Sequence, residues 1–147
     1  MTTLNEAKEG ILKHFVDGWA DRTAIHIDNE QFDTTDQKEQ VGSGDDSPWV
    51  DIRIRHTGAN QESLGGPGNR KFQRLGQAVI NIYTACDIGT QVADNLTQDV
   101  LDIFEGISIP DTTVRFNQVV PTEVGVLNGT DWYLVVVTAL FVYDEVK

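Results

Sequence analysis

The stretch from Gly65 to Gly106 constrains this chain most, because it sets three different patterns in succession. A glycine-rich basic loop comes first: Gly65-Gly66-Pro67-Gly68-Asn69-Arg70-Lys71-Phe72-Gln73-Arg74. An alternating segment follows from Leu75 to Tyr83, with Ala78, Ile80 and Ile82 on one face and Gln77, Val79, Asn81 and Tyr83 on the other. A period of two marks a half-buried strand. From Gly89 to Phe104 the period changes. Val92, Leu96, Val100, Ile103 and Phe104 recur at helical spacing, so one face is apolar and the other carries Gln, Asp and Thr. The loop is too long for a tight hairpin and too polar for a core, so it is the first place to look for function.

Upstream, residues 4–19 read as a helix. Leu4, Ala7, Ile11, Leu12, Phe15, Val16 and Trp19 form its apolar stripe; Thr2 or Thr3 caps it, with Glu6 completing a capping box if Thr3 is the cap. Gly10 inside it costs about 1 kcal/mol relative to alanine. A short strand is expected at Thr23–Ile27. Residues 28–47 are polar and acidic and read as a mobile surface loop. The clearest strand runs from Pro48 to His56, with Val50, Ile52 and Ile54 facing the core. Trp49, Asp51, Arg53 and Arg55 face the other way. Arg53 and Arg55 either pair across strands with acids of the same chain or form a salt-bridge row between subunits.

Residues 57–73 then form a second long loop, the tip of a protruding hairpin, with Leu64 and Phe72 as its apolar contacts. Gly106 stops the second helix. Residues 107–110 and 113–119 offer two short strand pieces, residues 121–125 a loop, and Asn128-Gly129 a tight turn. The final segment, Trp132 to Tyr143, is apolar on both faces. It is either covered on both sides within the subunit or shares one face with another subunit.

Chain length bounds the domain count: 147 residues fit one domain, 1–147. A single cysteine, Cys86, excludes an internal disulfide and suits a reducing compartment. No apolar run approaches the roughly 20 residues that span a membrane, and the N-terminus lacks a signal pattern, so synthesis in the cytosol is expected. The net charge of −12 is uneven. Residues 1–52 hold 12 acids and 4 bases, residues 53–74 hold 5 bases and 1 acid, and residues 75–147 hold 10 acids and 2 bases. Nucleic-acid wrapping needs a broad basic face, which this chain lacks. One basic segment on an acidic body suits docking or self-association, although a solvated loop would look the same.

No catalytic constellation stands out. Cys86 has no catalytic partner readable from the sequence and reads as a small buried residue. His26 and Asp28 share a strand face without a third metal ligand. Asp45-Asp46 lacks the ligand spacing of a calcium loop. The Gly65–Lys71 run lacks the strand-to-helix context of a phosphate loop, and its proline removes a donor. No cofactor or metal is expected, and the chain reads as a non-enzyme.

The order of these elements resembles the tail-terminator-like proteins of long-tailed bacteriophages. The likeness rests on the N-terminal helix, the Pro48-Trp49-Val50 strand, the Gly/Arg loop running into Arg74-Leu75-Gly76, and the helix ending in Phe104-Glu105-Gly106. It spans about residues 4–142 and is strongest from Trp49 to Gly106; Gly58, Arg70, Gly89, Ala93 and Leu96 also fall where the pattern expects them. Ala85-Cys86-Asp87 departs from it, in place of a proline-containing turn.

The resemblance implies an α+β domain: an antiparallel or mixed sheet of four to five strands, two main helices packed on it, and a long protruding β-hairpin. It further implies a virion protein that forms a hexameric ring at the tail–neck junction after assembly in the host cytoplasm. Such a ring caps the tail tube, ends its polymerisation, and presents a surface to the head–tail connector and neck proteins. DNA would pass through its lumen without sequence-specific binding. Arg53, Arg55, Arg70, Lys71, Phe72 and Arg74 are the residues expected at subunit or tube contacts. Competing expectations are a neck, head-completion or tail-tube protein of similar fold. A small cytosolic ligand-binding domain or enzyme using Cys86 or His26 and Asp28 is a further alternative.

Overall fold

The computed structural model describes residues 2–20, 22–27, 48–86, 89–127 and 132–147. The loop expected at 28–47, Asp28 and the Asn128-Gly129 turn lie outside the described residues. Among the described residues one five-stranded mixed sheet carries two helices, as an α+β domain. In chain order the elements are α1 (Leu4–Trp19), β1 (Ala24–Ile27), β2 (Trp49–Gln61), β3 (Lys71–Ala85), α2 (Gln91–Phe104), β4 (Arg115–Val126) and β5 (Trp132–Val146). The strand order is β1-β2-β3-β5-β4, with β1 parallel to β2 and every other pair antiparallel.

The helix α1 begins where its capping box predicts. The Thr3 hydroxyl accepts from the Glu6 amide at 3.3 Å, and the Glu6 carboxylate accepts from the Thr3 amide at 2.7 Å. Ala7, Ile11, Phe15 and Trp19 are fully buried, one turn apart on a single ridge. Leu4 and Val16, expected in that stripe, are exposed. Val16 follows Phe15 by one residue, roughly 100° round the helix, and so leaves the face that meets the sheet. In α2 the stripe is Ala93, Leu96, Val100, Ile103 and Phe104, and Val92 is exposed instead of buried.

Both helices cover the same face of the sheet, with Val50, Ile52 and Ile54 of β2, Ala78, Ile80 and Ile82 of β3, and Val135, Val137 and Ala139 of β5 in one core. The His14 ring donates from Nε2 to the Ile103 carbonyl at 2.7 Å and ties α1 to α2. Aromatic contacts run through the core. Phe15 stacks on Trp19 and on Phe104, Phe104 meets Phe116, and Phe116 meets Phe141 edge-on.

Two expectations need correction. About half of the 57–73 segment is ladder: β2 and β3 stay paired from Trp49↔Tyr83 to Gln61↔Phe72, and residues 62–70 connect them. Pairing continues because β3 is also zipped to β5 along its whole length, from Lys71↔Val146 to Ala85↔Trp132. The second correction concerns residues 121–125, expected as a loop and found inside β4. Pro121 is tolerated because β4 is the edge strand and pairs only with β5, so a missing N–H breaks no second ladder. Register shifts between Phe116 and Gln118 and between Glu123 and Gly125 bend this edge.

Candidate assembly surface

The face of the sheet away from the helices is built from the alternate residues of the same strands. Register aligns them in rows: Arg53, Val79, Thr138 and Val120; Asp51, Asn81, Val136 and Thr122; Arg55, Gln77, Leu140 and Gln118. Among the described residues no helix packs on this face. Its middle is apolar, with Val79, Leu134 and Val136 half-buried, Leu140 at 38% and Val120 at 39% exposure. Arg53 and Arg55 stand on its β2 side, as the alternation predicts.

One end of this face is closed by aromatic rings. Trp49 stacks on Tyr83 at 4.1 Å between centroids, and Trp132 meets Trp49 edge-on. Beside them Asp51 is buried and accepts from the Asn81 amide at 2.7 Å, while an Arg53 guanidinium nitrogen lies 3.8 Å away. Burial raises the Tyr83 hydroxyl above its ordinary value, and the Asp51 charge adds to the effect. Arg53 therefore has a partner on its own strand. Arg55 donates to the neighbouring Ile54 carbonyl.

The other four expected contact residues lie elsewhere. Arg55 pairs with Gln77, and Lys71 lies six positions from Gln77 along β3, roughly 20 Å of strand. Most of the hairpin charges are held by the chain itself. Arg74 donates to the Glu145 carboxylate at 2.6 Å, with both side chains largely buried (19% and 12% exposed). Lys71 sits 2.9 Å from Glu62 and 3.6 Å from Asp144, and Glu62 before Asp144 holds its ammonium above the ordinary lysine value. The Phe72 ring has the Arg74 guanidinium and the Lys147 ammonium within cation–π distance. Arg70 is exposed, its Nε donating to the Gly65 carbonyl at 3.0 Å.

An Arg74→Glu substitution would thus set two carboxylates against each other inside the subunit and test the hairpin rather than an interface. Acidic partners more than 70 positions away in the chain have no local signal, and this is why Asp144 and Glu145 were not anticipated.

The residues of the hairpin tip are ordered by hydrogen bonds. The Asn69 amide donates to the Gly66 carbonyl, with Pro67 and Gly68 between them and φ of 89° at Gly68, as a type II turn requires. Pro-Gly in those two places is a legible turn signal. Ser63 accepts from the Lys71 amide, and Gln61 donates to the Ser63 carbonyl, both at 2.9 Å. Leu64 projects from this tip at 98% exposure. At the far end of the sheet, α2 and β4 border a groove of about 410 Å³ lined by Asp94, Gln98, Leu101, Pro121, Glu123 and Val135.

Where β2 and β3 leave the core, the His56 Nε2 lies 2.7 Å from the Tyr143 hydroxyl, edge-on to the Phe141 and Tyr143 rings. Burial pushes its pKa below the ordinary value, and the Lys8 and Arg74 charges add to this. The unfolded chain therefore takes up a proton that the folded chain resists. Stability from this group is present above about pH 6.5 and is lost as pH falls from there to the lower folded value. Urea titrations between pH 7.5 and 5 are expected to show falling stability in the parent protein. A His56→Gln variant should show a flatter profile.

Among the described residues no three His, Cys, Asp or Glu side chains are grouped to hold a metal ion, and no helix is long and apolar enough to cross a membrane. His26 lies in register with Asp51, Asp28 is outside the described residues, and Cys86 follows β3, half-buried. No family model and no curated protein matches the sequence. Solved structures do match, 19 chains among them. One, whose name carries no functional description, aligns over 100% of this chain and 97% of its own at a TM-score of 0.59 and 13% identity. That likeness is one of fold.

Proposed function

We propose that this chain is a structural assembly protein: a ring-forming tail terminator that caps a phage tail tube, ends its polymerisation and offers the neck its docking surface. The observation that carries the reading is the second sheet face. A five-stranded sheet whose helices lie on one side leaves Val79, Leu134, Val136, Leu140 and Val120 on the other. An apolar surface that no described helix covers marks a contact with another protein. Its mixture of apolar residues with Gln77, Asn81 and Gln118 suits an interface made after folding rather than a core. The net charge of −12 fits a ring whose lumen lets DNA slide, because like charges disfavour adhesion.

Light scattering over a concentration series, alone and with tail-tube protein, tests the reading, with negative-stain images of the product. A closed ring is expected. A monomer or dimer indifferent to tube protein would overturn it. In the same assay, Leu140→Asp combined with Val120→Asp is expected to leave a folded monomer. Both side chains are partly exposed, so the charges cost the subunit little and the contact much.

A further inference from the structure

We infer that the β2–β3 hairpin tip of one copy seats in the α2–β4 groove of the next, with Leu64 on the apolar floor and Arg70 against the acidic rim. The inference rests on the assembly reading above and specifies one of its contacts. The tip supplies an anchor ready to bind. Leu64 is almost wholly exposed, yet the loop carrying it is closed by a turn and by bonds from Ser63, Gln61 and Arg70. Ordering that loop on contact therefore costs little.

The groove is the complementary half. Leu101 and Val135 give it an apolar floor, Pro121 one wall, and Asp94 and Glu123 place two carboxylates on it. Gln98 is turned away to Asp102, to which it donates at 2.9 Å. Arg70 facing Asp94 and Glu123 is complementary in charge, as Leu64 over Leu101 and Val135 is in polarity.

The occupant is a second copy, because the chain's own tip cannot reach. Lys71 at the base of the tip pairs with Val146, whereas the groove is floored by Val135 of the same strand. Eleven residues of β5 separate them, roughly 36 Å, and the continuous β3–β5 ladder keeps them apart. Knob and hole at opposite ends of one subunit make a head-to-tail contact, which closes into a ring when the rotation between copies allows it.

The test uses the full chain and reads its mass by light scattering across concentration, with and without tail-tube protein. Arg70→Glu, Leu64→Asp and Glu123→Arg are each expected to raise the concentration for half-assembly by roughly tenfold. All three residues are exposed, so unfolding midpoints should stay at the parent value. The double variant Arg70→Glu with Glu123→Arg restores the attraction at every contact of a head-to-tail ring and should regain assembly. Rings that form from the three single variants as from the parent would overturn this contact and leave the terminator reading standing. Singles that fail without recovery in the charge swap would overturn the Arg70–Glu123 pairing. A parent chain that never assembles, with or without tube protein, would remove both.

Discussion

Phe15→Ala is expected to lower the free energy of unfolding by about 4 kcal/mol. The ring is fully buried and stacks on Trp19 at 5.5 Å and on Phe104 at 5.8 Å between centroids. It is the point where α1, α2 and, through Phe104 and Phe116, the β4 edge meet. Truncation removes both stacking contacts at once and leaves a cavity between α1 and α2. Those walls are themselves fully packed side chains, so they cannot collapse inward. The two-state urea midpoint should move well below the parent value at an unchanged slope. A shift under 1 kcal/mol would mean that the helices are held to the sheet elsewhere.

Gly76→Val should cost about 3 kcal/mol, by crowding rather than by a void. A Cβ on Gly76 would lie 2.4 Å from Phe141 Cζ and 2.7 Å from the Arg55 carbonyl oxygen. The ring of Phe141 therefore lies across the glycine of the neighbouring strand and fills the gap that a missing side chain would leave. The ring could turn away only by giving up its contacts with Phe116 and His56, and the carbonyl belongs to the β2–β3 ladder. Alanine should already cost about 2 kcal/mol for the same reason. Thermal unfolding of both variants decides the point, since a neutral alanine would show that Phe141 is free to move.

Features set by neighbours a few residues apart were legible in the sequence, and features set by distant partners were not. Thr3 and Glu6 are three positions apart, so the start of α1 could be read directly. The alternation of Val50, Ile52 and Ile54 fixed which way Arg53 and Arg55 point. By contrast, Arg74 meets Glu145 across 71 positions and His56 meets Tyr143 across 87. Half of the expected contact residues proved to be engaged inside the subunit for that reason. Pro121 misled because a proline reads as a loop until the strand is known to be an edge. The two apolar faces of β5 were visible from the start. Which of them the helices cover could be seen only once the helices were placed, and both described helices fall on one side. The groove could not be read at all, because Asp94 and Glu123 come from separate elements and only the packed sheet brings them together.

The placement of β5 also governs how a nascent chain can mature. This strand is the last of the five to be synthesised, yet it lies between β3 and β4 and supplies Val135, Val137, Ala139, Phe141 and Tyr143 to the core. While the ribosome is still making it, β3 has a bare edge, β4 has no partner in the sheet, and the helices have no complete floor. The fold therefore closes after synthesis of β5 rather than progressively. Such long-range pairing is slow compared with local helix formation. An unfinished chain has neither the completed apolar face nor the groove, so the ring proposed above would exclude it until its own core has closed.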